Sequence, residues 1–134
     1  MVRTPLLSTL GLLSLCGLGA TQNHLVDDQH IKVFLFAYPA FWSQVAVDAP
    51  KDVCVDLDNN MIDGRVQSAL VGGFDVASVM NRTDNWYCTF YDNYDCEGDV
   101  NSTLVFSAGV NDLRSANWQD KVHGILCTIE NDQT

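Results

Sequence analysis

The fold of this chain turns on one stretch: Cys88-Thr89-Phe90-Tyr91-Asp92-Asn93-Tyr94-Asp95-Cys96-Glu97-Gly98. The aromatic pair Phe90-Tyr91 closes a run with strand chemistry that begins at Trp86. A polar, turn-prone run follows, and Gly98 arrives seven residues after Tyr91. Aromatic and β-branched residues running into Asp-Asn and Glu-Gly turns predict a strand that folds back on itself. A second stretch, Asp120-Lys121-Val122-His123-Gly124-Ile125-Leu126-Cys127, has the same character.

Working outward, most local signals are strand signals. Residues 31–38 are aromatic and β-branched; residues 42–47 continue after Pro39, which bars a helix. Residues 53–57, 65–71, 86–91, 103–106 and 121–129 complete the predicted strands. Asp58-Asn59-Asn60, Asp63-Gly64, Asp92-Asn93 and Glu97-Gly98 supply the turns. Short helical turns are expected at 75–80 and 112–116. A shift of 56 residues superimposes the halves without a gap: Phe34 on Phe90, Tyr38 on Tyr94, Asp56-Leu57 on Asp112-Leu113, Leu70 on Leu126. Two copies of one four-stranded unit predict an all-β, eight-stranded sandwich.

These features resemble the two Greek-key motifs of the βγ-crystallin family, with the likeness spanning residues 31–128 and stronger in the second half. In that family a glycine permits the hairpin to fold, and Gly98 stands at that position. The family's aromatic partner is replaced here by Cys96, and in the first half Trp42 falls where the glycine would be. With its cysteines the chain looks like small secreted fungal proteins of the killer-toxin and effector type. The resemblance implies a disulfide-stapled crystallin-like sandwich.

The start of the chain indicates the compartment. Arg3 precedes an apolar run from Leu6 to Leu18, closed by Gly17, Gly19 and Ala20. Residues 1–20 read as a secretory signal peptide, too short to span a membrane. Residues 21–30 read as a flexible segment and 129–134 as a tail. Cleavage after Ala20 leaves 114 of the 134 residues, enough for one domain. It also removes Cys16 and leaves Cys54, Cys88, Cys96 and Cys127, an even number that implies disulfides in a secreted chain. Asn81-Arg82-Thr83 and Asn101-Ser102-Thr103 are glycosylation sequons at Asn81 and Asn101. The formal net charge is −10 for the whole chain. Such a surface disfavours nucleic acid and anionic membranes, and favours a basic partner.

In a crystallin-like sandwich the third strand of one motif lies beside the last strand of the other. That arrangement implies Cys54–Cys127, leaving Cys88–Cys96 to clamp the hairpin. Cys88–Cys127 with Cys54–Cys96 is the main alternative among three connectivities. The resemblance also raises calcium. The family's site has two Asn/Asp residues, two spacers, then Ser/Thr and Ser. The corresponding stretches are Asp63-Gly64-Arg65-Val66-Gln67-Ser68 and Gln119-Asp120-Lys121-Val122-His123-Gly124. Each has lost several oxygen ligands, so Asp63 and Asp120 are only weak metal candidates and no cofactor is expected.

Other chemistry is sparse. Asp56, Asp58 and Asn60 imitate the start of an EF-hand loop, but Met61 stands where that loop needs glycine and Gln67 where it needs glutamate. His24, His30 and His123 lack zinc-ligand spacing, and no Gly-x-Ser-x-Gly nucleophile elbow occurs. No enzyme activity is therefore expected. Binding-surface candidates are Phe41 and Trp42, if they stay exposed, together with Asn93 and Tyr94. The reading is a secreted, monomeric, non-enzymatic binding protein, effector-like or toxin-like, acting on an extracellular protein or cell-wall target. A protease inhibitor and a wall or matrix structural protein are the alternatives.

Overall fold

The structure, a computed structural model, describes residues 25–130. The expected signal peptide at 1–20 and residues 131–134 of the expected tail lie outside them. Eight strands form in chain order: β1 (His30–Tyr38), β2 (Trp42–Pro50), β3 (Cys54–Asp56), β4 (Ser68–Val71), β5 (Trp86–Tyr91), β6 (Thr103–Phe106), β7 (Gly109–Val110) and β8 (Gly124–Ile129). They pair antiparallel into two four-stranded sheets, β2-β1-β4-β7 and β3-β8-β5-β6. Each sheet takes three strands from one half of the chain and borrows its fourth, β7 or β3, from the other. The halves are thus interlocked, as a double Greek key requires.

Between the sheets lies one core. Ile31, Val33 and Leu35 of β1 meet Trp86, Cys88 and Phe90 of β5, with Val66, Val122, Ile125 and Cys127 beside them. The two-residue alternation of strands sets these apart from their neighbours. Phe34 and Phe36 point the other way and, with Leu70, form a second cluster on the outer face of their sheet. Val79, Phe41 and Leu25 cover that face. β1 is therefore apolar on both sides, which is why its sequence shows little polar alternation. Val79 belongs to helix α1 (Val76–Met80), whose N-cap Asp75 accepts a 2.7 Å bond from Ser78 N–H.

Strand pairing revises the internal repeat. Val33 pairs with Val71, and Cys88 pairs with Cys127. Positions 71 and 127 differ by 56, but 33 and 88 differ by 55. The structural counterpart of Phe90 is thus Leu35 rather than Phe34, and both face the core. A one-residue slip reverses faces, so the gapless alignment placed Phe34 on the wrong side. The second hairpin is also longer. Val33 and its partner Val47 are 14 residues apart, whereas Cys88 and Phe106 are 18 apart.

Arg82, between the halves, ties them together. Its guanidinium donates to the carbonyls of Val71 and Trp86 at 3.1 Å, to that of Ser107, and to Asp84. Burial opposes the Asp84 charge. Arg82 and the Trp86 N–H nevertheless hold its carboxyl below the ordinary range. At the other end, residues 25–30 of the segment expected to be flexible make defined contacts. Val26 bridges Ile31, and the Asp27 carbonyl accepts the Trp86 indole N–H at 2.9 Å.

Candidate functional site

Two places on this frame combine unusual geometry with functional side chains: the loops entering β4 and β8, and the outer face of β5 and β6.

The loops cross at the pseudo-dyad. Gly64 N–H donates to the Val122 carbonyl and Asp120 N–H to that of Val66, both at 3.3 Å. Leu57 N–H reaches the His123 carbonyl at 2.9 Å, and Leu113 N–H reaches that of Gln67 at 2.8 Å. Residues 65–67 and 121–123, expected to be strand, spend their backbone groups on this exchange, so β4 and β8 begin three residues later than predicted. Side chains repeat the pattern. His123 Nδ1 meets Asp63 Oδ1 at 2.6 Å, and Gln67 Nε2 donates to Asp120 Oδ1 at 2.7 Å. A carboxylate only accepts, so Nδ1 carries the proton in the first pair. The second Asp63 oxygen accepts the Tyr94 hydroxyl at 2.6 Å. That bond, with burial and the nearby charges of Asp63, Asp58 and Asp56, pushes the Tyr94 phenol up to about 12.

Calcium does not fit this donor set. Both Asp63 oxygens are engaged, Gln67 directs its amide nitrogen at the Asp120 carboxylate, and positions 64 and 124 are glycines. Six to eight oxygens are needed. Among the described residues no group of three or more His, Cys, Asp or Glu stands close enough to hold a metal ion.

The disulfides differ from the pairing inferred by resemblance. Cys54 bonds Cys96 and Cys88 bonds Cys127. The third strand of one half does lie beside the last strand of the other, but Cys54 is opposite Leu126, not Cys127. Successive side chains point to opposite faces. Cys127 therefore faces the core and meets Cys88 directly across β5 and β8. Cys54 is left to reach the hairpin.

The two hairpins are pinned differently. Buried Ser68 holds the first: its hydroxyl donates to the Tyr38 carbonyl at 2.7 Å and accepts from Phe41 N–H at 3.1 Å. That turn has no glycine, and Ala40 and Phe41 take left-handed backbone at φ 61° and 65°. The equivalent of Ser68 in the second half is Gly124. A side chain there would meet the Asn93 carbonyl at 2.6 Å, so glycine lets the hairpin rest on β8. Pinning passes to the Cys54–Cys96 bond and to Asn93. The Asn93 amide accepts from Asp95 and Glu97 N–H and donates to the Glu97 carbonyl.

The remaining candidates fall as follows. Trp42 is 70% exposed beside Tyr38, its cross-strand partner. Phe41 is half-buried, edge-on to Phe36 at 5.4 Å, so it caps the second cluster. Asn93 is spent on the hairpin, and Tyr94 is tied to Asp63. Asn81 and Asn101 are both exposed.

Sequence reasoning missed the outer face of β5 and β6. Tyr87, Thr89 and Tyr91 project there beside Thr103 and Val105, and the hairpin loop adds Asp99 and Val100. Together with Ser107 and Glu130 they line an open groove of about 880 Å³. The corresponding face of the other sheet is covered by Val79 and Phe41. Among the described residues, the charged side chains that line the groove on β5 and β6, Asp99 and Glu130, are acidic. The signal was the period-two series Tyr87-x-Thr89-x-Tyr91, opposite in register to Thr103 and Val105.

Solved structures with the same arrangement of strands can now be compared. A βγ-crystallin domain described in connection with the evolution of the eye-lens fold matches with TM-score 0.54 at 14% identity, covering 82% of this chain and 95% of the other. A βγ-crystallin domain of Abundant Perithecial Protein from Neurospora crassa, in its Ca2+-bound form, matches with TM-score 0.51 at 11% identity, covering 81% and 97%. This is the βγ-crystallin fold. No protein-family model matches the sequence, and neither does any curated protein sequence. At such identities the likeness extends to the fold alone.

Proposed function

We propose that this chain is a secreted, non-enzymatic binding protein, effector-like or toxin-like, that engages an extracellular or host target through the groove on β5 and β6. One observation carries the reading. The chain buries the outer face of one sheet under its own helix, yet leaves the matching face as an open groove lined with half-buried Tyr87 and Thr89 and exposed Val105, with buried Tyr91 at its base. Aromatic side chains with polar tips suit a contact surface, because they bring area at low entropic cost. Asp99 and Glu130 at the groove, on a chain of net charge −10, favour a basic protein as the target. Two disulfides accord with an oxidising compartment.

The test is binding by the mature, oxidised protein to extracellular proteins, against a Tyr87→Ala/Val105→Asp variant of unchanged melting temperature. Capture by the parent and loss in the variant supports the reading. Equal capture by both moves the contact elsewhere.

A second reading, protease inhibition, rests on the braced hairpin. Cys54–Cys96 and the Asn93 bonds hold an exposed loop rigid, as inhibitor loops require. Silence against serine, cysteine and metalloprotease panels removes it.

A further inference from the structure

The fold brings the two calcium-type stretches together, but this chain fills the junction with its own donors. We infer that the pairs Asp63–His123 and Gln67–Asp120 fasten the two halves at the stretches where the resemblance places a calcium site, so that the fold is indifferent to calcium.

Three observations converge. Each pair links the two halves, across 60 and 53 residues of sequence. They sit beside the reciprocal backbone bonds between Gly64 and Val122 and between Asp120 and Val66, so side chains and main chain fasten the same seam. In the family pattern the fifth position of each stretch is a hydroxyl-bearing Ser or Thr, which offers a cation an oxygen. Gln67 and His123 occupy those positions here and present N–H groups to the carboxylates instead. A cation arriving at Asp63 would have to displace both His123 and Tyr94, and would find an imidazole where it needs oxygen. One carboxylate acceptor on each side is thus satisfied by a donor from the opposite motif.

The two pairs are related by the pseudo-dyad without being identical. Gln67 and His123 are counterparts at the 56-residue offset, and their acceptors, Asp120 and Asp63, lie one step apart in the motif. Two different donor types at matching positions, each finding a carboxylate of the other half, make the fastening a property of the junction rather than of one residue.

The experiment uses the mature oxidised protein and calcium chloride. Calorimetric titration is expected to show no saturable heat, and thermal unfolding is expected to be the same in millimolar calcium and in EDTA. His123→Ala and Gln67→Ala are each expected to lower the melting temperature by about 4 °C, with no recovery on adding calcium. Gln67→Glu, which keeps size but sets two carboxylates together, separates the hydrogen bond from packing and is expected to lower it as well. Saturable calcium binding by the parent protein, or a calcium-dependent rise in its melting temperature, overturns the inference. So does an unchanged melting temperature in His123→Ala and Gln67→Glu. The titration of the parent requires no variant to fold.

Discussion

Cys88 stands directly opposite Cys127 across β5 and β8, and the bond between them is closed off from solvent inside the sandwich. Cys54–Cys96 is different: both its cysteines are half-buried, and it joins β3 of the first half to the hairpin of the second. Sequence separations of 42 and 39 give each bond about 4 kcal/mol by loop-closure arithmetic. Access, not loop length, therefore distinguishes them. Under mild reductant Cys54 and Cys96 should be alkylated first, with Cys88 and Cys127 labelled only as the protein unfolds. Mass mapping of stepwise-labelled protein checks the order, and simultaneous labelling of all four would contradict it.

Arg82 is the polar counterpart of the buried disulfide. Its guanidinium serves three backbone carbonyls and Asp84 from a side chain only 10% exposed. Arg82→Ala should cost about 3 kcal/mol in urea denaturation, because it strands Asp84 and the carbonyls. Arg82→Lys should recover little of this, since one ammonium lacks the planar fork.

Asp84 predicts a pH effect of definite sign. Its folded carboxyl lies below the ordinary value of 3.8. The stability it confers is therefore complete above that value and is lost as pH falls through it toward the lowered folded value. Asp84→Asn should flatten this acid limb of the stability curve; an unaltered limb would argue against the pairing.

Tyr94 predicts the opposite limb. Its phenol is raised from 10.0 to about 12 by the Asp63 bond, so the folded state holds the proton more tightly. The contribution is fully present below pH 10 and is lost as pH rises toward 12. Titration of tyrosinate absorbance should show a late-ionising component, and Tyr94→Phe should remove it.

Gly124 should be intolerant of any side chain. A methyl group there would stand 2.6 Å from the Asn93 carbonyl. Gly124→Ala is expected to cost about 1–3 kcal/mol by lifting the hairpin from β8. Gly98→Ala is a useful comparison, because its clash is with the movable Ser102 hydroxyl as well as with a φ of +157°.

Much of this architecture was legible in the residues. β5 and β6 have the bounds that their aromatic and β-branched runs predict, and α1 and the 3₁₀ turn at Leu113–Ala116 follow their Asp caps. β7 was not legible: Gly109–Val110 is two residues long and exists because β4 pairs with it. The site was less readable than the fold. Tyr94 could be singled out as exposed and aromatic, but its bond to Asp63 spans 31 residues, and His123 reaches the same carboxylate across 60.

By itself, then, the sequence determined the local elements: the strands other than β7, the turns between them, the places of the cysteines and an acidic net charge. Local periodicity and turn chemistry suffice for those. Only the tertiary structure decided which cysteines meet, which strand face is covered and what fills the junction between motifs. In the register adopted, Phe90 and Cys127 face the core while Tyr87 and Thr89 lie on the opposite face of β5. A strand records its own alternation, but which of its two faces becomes the interior is settled by the neighbour it pairs with.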